Sequence, residues 1–424
     1  MVKQNLFSHT KEQFKEFAEI LKLKQSVYNK LSKPDRIIKF KIPIKMDNGT
    51  IKEFDGYRCQ HNNALGPYKG GIRFSPSVSM KGIEVLAMLM TWKCSLANIH
   101  FGGAKGGIKV NPNKLSQKEL ERLSRGYVKK VFSYIGPDKD IPAPDVNTNP
   151  EIMAWMVDEY SNLIGKFTPA SFTGKPYDIW GLRGRIEATG YGGVIILGEL
   201  VKKLKLKPKE ITLAIQGLGN VGYYFAKSAY KKSYKILAVS EIEGSVCVKQ
   251  GLNPEKTIEC RKKKKCIDGC CCLNQVCDSN LGKSITNKKF LELNVDILVL
   301  AAMEGVITEK NASKIKAKYI IEMANGPITP KAEKILEKRG IKIIPDILVN
   351  AGGVIASYFE WLQSKNKKRW GKERALRGLS KILKKSFNEV WNLAEKREIS
   401  YRKAAYIIAV KRIVEAIKIL KVGY

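Results

Sequence analysis

The sequence predicts an α/β chain of two domains, and three observations predict it. Helical and strand segments alternate through residues 186–345, the signature of a parallel sheet with crossover helices. Residues 375–393 and 404–420 then return to amphipathic helix. The 424-residue length is ample for a core in each of two domains.

The elements follow in order. Phe14, Phe17, Ile20 and Leu21 recur at three-to-four spacing and predict an opening helix. Residues 36–44 and 51–59 alternate apolar and polar around Asp47-Asn48-Gly49, which predicts a β-hairpin with a tight turn. A helix over 82–97 offers Ile83, Leu86, Met90 and Trp92 for packing, and carries Lys93 toward a glycine-lysine loop. Two further helices cover 115–135 and 150–163. The character changes after Gly165-Lys166. Helices near 190–204 and 221–231 then interleave with strands at 211–215, 236–239, 295–300, 319–322 and 342–344.

Composition excludes several classes. Lysine and arginine total 76 against 40 acidic residues, a formal charge of +36, which commonly reports a polyanionic partner. The lysines are spread along the chain, with one dense run at 261–265, and no recognition-helix, RNP or finger spacing occurs. The excess reads as a solvated surface, and nucleic acid is not an expected partner. No run reaches the roughly 20 apolar residues of a membrane span, and the polar N-terminus is no signal peptide. Nine cysteines, an odd number, predict free thiols in a reducing cytoplasm. Six crowd into 260–277 without separated ligand pairs or a nearby histidine, so no metal site is expected. The stretch 245–283 reads as a surface loop, with a metal or thiol-switch role as the alternative.

The chemistry concentrates in glycine-embedded lysines. Lys105 lies in Gly102-Gly103-Ala104-Lys105-Gly106-Gly107, Lys69 in Gly66-Pro67-Tyr68-Lys69-Gly70-Gly71, and Lys93 between them. Glycine is placed where backbone bends or approaches a ligand closely. A lysine held there among other cations has a depressed pKa and can act as a base near neutral pH. Further on, Gln216-Gly217-Leu218-Gly219-Asn220-Val221-Gly222 follows an apolar strand and opens a helix. That context makes this GxGxxG a dinucleotide loop on a Rossmann-like doubly wound sheet. Gly217 makes the turn, Gly219 admits a pyrophosphate, Gly222 packs helix on strand, and the helix start at Asn220 and Val221 supplies N–H groups. Glu241, 24 positions after Gly217, can accept both ribose hydroxyls. With Glu243 it would repel a 2′-phosphate, which favours NAD, with NADP as the alternative.

The ordered set GPYKGGIRF, MTWKCS, FGGAKGGI, IPAPDVNTN, EATGYGG, QGLGNVG, ANGP and NAGGVIASYFEW resembles the glutamate dehydrogenase family of amino-acid dehydrogenases over residues 30–424. The resemblance implies a substrate-binding and oligomerisation domain over 1–184, an inserted NAD(P)-binding domain over 185–345, and C-terminal helices over 346–424 returning to the first. It also implies a cleft that closes in turnover and a cytoplasmic homohexamer. The reaction it implies turns L-glutamate, water and NAD(P) into 2-oxoglutarate, ammonium and NAD(P)H, and back. By position, Lys105 would be the catalytic lysine and Asp145 the proton carrier to and from nitrogen. Lys93 would bind the α-carboxylate, and Lys69 with Ser357 the side-chain carboxylate. Thr189 and Asn220 would touch the cofactor, and Asn325 and Asn350 would line its nicotinamide side.

Relatives acting on leucine, valine or phenylalanine carry apolar residues at the counterparts of Lys69 and Ser357. An unpaired lysine in an apolar pocket is expensive, so a leucine- or phenylalanine-type substrate is the weaker alternative. A basic, nucleic-acid-binding protein on this frame with catalysis lost is a third. The joint presence of Lys69, Lys93, Lys105, Asp145 and Ser357 argues against it. Glu241, Met323 and Leu300 depart from the commoner aspartate, glycine and proline, and bear on fine cofactor geometry.

Overall fold

The computed structural model describes residues 2–422, which divide into two compact units. The first runs to Arg185 and resumes over Val354–Arg377 and from Tyr406; the second comprises Ile186–Gly353 and Gly378–Ala405.

In chain order the first unit holds α1 (Val2–Ile20), α2 (Gln25–Leu31), β1 (Arg36–Lys45), β2 (Ile51–Asn62), β3 (Tyr68–Phe74), α3 (Met80–Leu96), β4 (Gly103–Ile108), α4 (Gln117–Val131), β5 (Asp140–Pro144) and α5 (Pro150–Ile164). The five strands form one sheet in the order β1-β2-β4-β3-β5. The β1–β2 hairpin pairs Arg36 with Gln60 through Lys45 with Ile51. Its turn needs Gly49, at φ +88°, a conformation that glycine adopts without a Cβ penalty. A capping box of Ser116 and Glu119 starts α4, and Glu119 Oε1 also accepts the Asp47 N–H at 2.9 Å, which fastens the turn to the helix. Ile42, Ile44, Ile72, Phe74 and Ile108 on one sheet face pack with Leu123, Tyr127 and Val128 of α4 and Ile152 and Met156 of α5. Each such aliphatic side chain, fully buried, contributes about 1.5–3 kcal/mol.

The expected glycine-lysine loops are strands. β3 and β4 run through the glycine-rich segments, and neither was legible by alternation because glycine has no side chain to alternate. The missing Cβ serves packing: one added at Gly103 would lie 2.1 Å from Thr91 Oγ1 on α3. Strand and helix approach closely only because that atom is absent.

The second unit holds α6 (Ala188–Lys203), β6 (Thr212–Gln216), α7 (Asn220–Tyr230), β7 (Lys235–Glu241), β8 (Gly244–Cys247), α8 (Pro254–Lys264), β9 (Cys272–Leu273), β10 (Val276–Cys277), β11 (Lys283–Ile285), α9 (Asn287–Leu291), β12 (Ile297–Leu300), β13 (Tyr319–Glu322), α10 (Pro330–Lys338), β14 (Lys342–Ile344) and α11 (Asp346–Val349). Its seven-stranded sheet has the order β11-β8-β7-β6-β12-β13-β14. β7, β6, β12, β13 and β14 are parallel, with crossover helices, and β8 and β11 extend the edge antiparallel. The strands are short apolar runs, as expected of a sheet covered on both faces.

The chain closes with α12 (Gly352–Lys365), α13 (Lys372–Arg397) and α14 (Tyr401–Val422). The sequence assigned 346–424 to the first unit; instead residues 346–353 and 378–405 pack with the second. Arg402 explains the anchorage: it pairs with Glu322 at 2.7 Å, Glu333 at 2.7 Å and Asp346 at 3.3 Å, all in the second unit.

The cysteine-rich stretch also differs from its reading as a surface loop of free thiols. It is a folded segment with disulfides Cys260–Cys270 and Cys272–Cys277, and with Cys270, Cys271 and Cys272 fully buried. The β9–β10 register sets Cys277 opposite Cys272, a juxtaposition that spacing alone does not reveal. Cys59, Cys94, Cys247, Cys266 and Cys271 are free thiols. Among the described residues no group of three or more His, Cys, Asp or Glu could hold a metal ion, and no helix is long and apolar enough to cross a membrane.

Candidate active site

β3 and β4 build the site in the first unit. They pair in parallel with Ile72 opposite Gly106. Side chains alternate between faces along a strand, so Lys69, Gly71 and Arg73 share a face with Lys105. α3 packs on that face, through Thr91 against Gly103, and carries Lys93 and Cys94 in its last turns. The Cys94 thiol lies within the fields of both Lys69 and Lys93. The lysines thus gather on one side of one sheet.

Asp145, just past β5, rests over Gly71, where a Cβ would come within 2.8 Å of its own. One carboxylate oxygen accepts from Lys105 Nζ at 2.6 Å and the other from Arg73 Nε at 2.7 Å. Thr148 Oγ1 accepts the Asp145 N–H at 2.7 Å and donates to the Ile72 carbonyl at 2.9 Å. Asn147 donates to the Phe74 carbonyl at 2.9 Å, so the Asp145 loop is clamped along β3. Burial lowers the Lys105 pKa; Asp145 opposes that shift and Arg73 adds to it. Burial alone would raise Asp145, but Lys105 and Arg73 together hold it well below the usual carboxylate range. The result is a buried lysine paired with a half-buried carboxylate, and this lysine gives up a proton more readily than one in water.

Lys69 is buried and donates to the Ile141 carbonyl at 2.8 Å. Burial first, then the charges of Arg185 and Arg58, push its pKa well below the ordinary lysine value. Arg185 donates to Ser357 Oγ and lies 3.7 Å from Glu360, both on α12. Glu360 in turn accepts from the Gly174 N–H at 2.8 Å and Lys175 Nζ at 2.7 Å. Lys69, Arg185 and Lys175 therefore face one carboxylate, and the cluster keeps net positive charge in low dielectric. Such an arrangement favours an anion. On the opposite sheet face Arg58 pairs with Asp140 and donates to the Gly70 carbonyl at 3.1 Å, supporting β3 from behind.

In the second unit the glycine loop joins β6 to α7. Its neighbours β7 and β12 lie on opposite sides of β6, so the loop sits at a topological switch point of the sheet. Gly217 adopts φ +83°, and a Cβ on Gly222 would lie 1.8 Å from the Gly217 carbonyl. At Gly219, the N-cap of α7, a Cβ would meet nothing within 4 Å and no side chain caps the helix. This is a cradle of backbone N–H groups open to a pyrophosphate. Glu241 at the end of β7 accepts the Leu218 N–H. Asn220 donates to the Ile186 carbonyl at 2.9 Å, beside which Thr189 opens α6; the exposed amide thus ties the loop to α6. Val221 is half-buried in the first turn of α7. Asn350 donates to Asn325 Oδ1 at 3.0 Å and the Met323 carbonyl at 3.2 Å, and its own Oδ1 is buried without a hydrogen-bond partner. An acceptor so placed suits a carboxamide N–H donor, and the residues present fit a nicotinamide dinucleotide. Met323 and Leu300, the departures noted above, are buried packing residues; a Cβ on Gly193 would meet the Met323 sulfur at 2.3 Å.

Arg185, Glu360, Lys175 and Arg58 received no role from the sequence. Arg73 stood in a quoted motif, yet its bond to Asp145, 72 residues away, had no local signature. Arg185 and Ser357 are 172 residues apart, and only folding joins them.

Fold and site together define a class: two-unit α/β proteins with a dinucleotide-type loop in one unit and a lysine–aspartate pair in the other. Residues 34–162 match the Glu/Leu/Phe/Val dehydrogenase dimerisation domain and residues 181–419 the Glutamate/Leucine/Phenylalanine/Valine dehydrogenase domain, and the chain belongs to this family. It is 43% identical over 419 residues to the glutamate dehydrogenase of Thermotoga maritima, covering 99% of both chains. It is 40% identical over 412 residues to the NADP-specific glutamate dehydrogenase of Synechocystis sp., covering 97% of this chain and 96% of that protein. It is 42% identical over 413 residues to the NAD-specific enzyme of Staphylococcus aureus, covering 97% of each. Among solved structures, the hetero-hexameric glutamate dehydrogenase from Thermus thermophilus superposes with a TM-score of 0.89 at 32% identity, covering 97% of this chain and 96% of that one.

Proposed function

We propose that this chain interconverts L-glutamate and 2-oxoglutarate plus ammonium, with a nicotinamide cofactor as redox partner. The observation that carries the reading is the net positive cluster of buried Lys69 and Ser357 with half-buried Arg185, on the same unit as the Lys105–Asp145 pair. A dicarboxylic ligand answers both needs: its side-chain carboxylate meets Lys69, Arg185 and Ser357, and its α-carboxylate meets Lys93. A leucine side chain would bring no second carboxylate to Lys69, Arg185 and Lys175, which share Glu360, so the excess positive charge would face apolar surface. The names of the relatives support the same substrate.

When bound, the nicotinamide supplies the hydride acceptor and donor. The chain's own residues handle binding and protons. Lys105, with its pKa lowered by burial, takes a proton from the attacking water and polarises the oxygen at the α-carbon. Asp145, hydrogen-bonded to Lys105, relays protons to and from the nitrogen; the pair titrates as a unit. Gly217, Gly219, Val221 and Gly222 hold the pyrophosphate, and Glu241 the ribose. Thr189, Asn220, Asn325 and Asn350 complete the cofactor contacts. A homohexamer in the cytoplasm belongs to the same reading; the hetero-hexameric solved relative supports the six-subunit order alone.

Initial rates with glutamate, leucine and phenylalanine, each with NAD and with NADP, test the proposal. Glutamate is expected to dominate. Faster turnover of leucine or phenylalanine, or none of glutamate with either cofactor, would overturn it.

A further inference from the structure

The sequence reads Glu241 and Glu243 as a carboxylate corner hostile to a 2′-phosphate. The fold of the cysteine-rich segment alters that balance. Glu241 Oε1 is engaged by the Leu218 N–H of the glycine loop, and its Oε2 lies 3.4 Å from Arg261 Nη2. Arg261 Nε donates to Glu243 Oε1 at 2.6 Å, and Nη2 reaches Glu243 Oε2 at 3.4 Å. One guanidinium thus spans both carboxylates that end β7. It is delivered from the last turn of α8, next to the disulfide that ties Cys260 to Cys270, and exposed Lys262, Lys263, Lys264 and Lys265 follow it. The guanidinium is half-exposed, and its Nη1 edge has no partner among the described residues.

We propose that Arg261 is a specificity-determining residue that opens the adenosine-ribose corner to a 2′-phosphate, so that the protein takes NADP(H) as well as NAD(H). The inference rests on the dinucleotide reading of the 216–222 loop and not on the choice of amino-acid substrate. Two carboxylates alone would set two negative charges against an incoming phosphate dianion. With Arg261 across them the corner carries one, and the N–H groups of Nη1 remain to donate to a phosphate oxygen. The lysines that follow strengthen the positive field at the rim. Glu241 stays in place for the ribose hydroxyls of NAD. The carboxylate that favours NAD and the cation that admits NADP therefore come from separate elements, β7 and α8 of the cysteine-rich segment.

Fluorescence titration of the full-length protein with NADH and with NADPH tests this, using wild type, Arg261→Gln and Arg261→Lys, each checked for native circular dichroism. Wild type is expected to bind NADPH within about a hundredfold of NADH. Arg261→Gln should widen that ratio by about tenfold or more by weakening NADPH, and Arg261→Lys should recover part of the loss. A ratio unchanged in Arg261→Gln, or an equal weakening of both cofactors, would overturn the proposal, the latter making Arg261 a mere support for Glu241. Wild type that discriminates against NADPH by more than about a hundredfold would overturn it too. Failure to bind either cofactor would sink the dinucleotide reading with it, whereas binding without glutamate turnover would sink only the substrate assignment.

Discussion

Replacing Lys69 by methionine should stabilise the protein while disabling its recognition of glutamate. The lysine is buried on β3, donates to one neutral carbonyl, Ile141, and feels the charges of Arg185 and Arg58, which Glu360 offsets only in part. Methionine keeps the length of the stem and removes the charge. The lost hydrogen bond costs about 1 kcal/mol, and relief of a buried cation among cations returns more, for a net gain of about 1–2 kcal/mol. The sign of its pH dependence follows from the depressed pKa. The folded wild type resists protonation of Lys69 that the unfolded chain accepts, so wild-type stability rises with pH up to the ordinary lysine range. The advantage of the variant is therefore largest at neutral and acid pH and shrinks as pH approaches 10.5. For glutamate, removing one partner of a desolvated charge pair costs about 3–4 kcal/mol, because Arg185 and Ser357 remain. That is a fall of about 10²–10³ in kcat/KM for glutamate, carried chiefly by KM. Thermal unfolding at several pH values and steady-state rates, with NADH titration as the control, read all three quantities. A variant that melts earlier than wild type at pH 7 yet keeps its KM for glutamate would refute the electrostatic account.

Other substitutions probe the remaining groups. Lys105→Ala should lower kcat by about 10²–10⁴ with native circular dichroism retained; a loss below tenfold would mean the lysine is not the base. Arg73→Gln removes a cation that depresses the Lys105 pKa. The rise of kcat/KM for glutamate with pH should then move to higher pH; an unmoved profile would show that burial alone sets the lysine. Glu322 is pushed up to about 8, chiefly by burial, with Arg402 opposing and Asp346 and Glu333 reinforcing the rise. Its folded pKa exceeds the ordinary 4.5, so the stability it contributes is full below that value and is lost as pH rises through about 8. Glu322→Gln should flatten the decline in melting temperature across that window, and equal slopes in the two proteins would argue against it.

How much of this was legible in the sequence depends on the kind of signal. The Asp47–Gly49 hairpin, the α7 loop and the β12, β13 and β14 strands announce themselves through local periodicity or local turn chemistry. β3 and β4 do not, because their glycines are chosen for what lies against them: Thr91 at Gly103 and Asp145 at Gly71. The lysines stood out by their glycine surroundings, whereas Arg185 and Glu360 acquire meaning only when α12 meets residues 174–185. The Cys272–Cys277 pairing was illegible for the same reason, since the β9–β10 register decides it. Arg261 is the sharpest case. In the chain it is the first of five basic residues; in the fold it lies across the two carboxylates that had been taken to decide the cofactor.

The seat of Asp145 above Gly71 carries a consequence for anyone redesigning this protein. The acid is positioned by an absent methyl group, so even alanine at residue 71 would lift the proton relay off its lysine while leaving every named reactive group in the gene intact. A library that spares only the obvious chemistry and diversifies the small residues around it would return many inert clones that nonetheless fold.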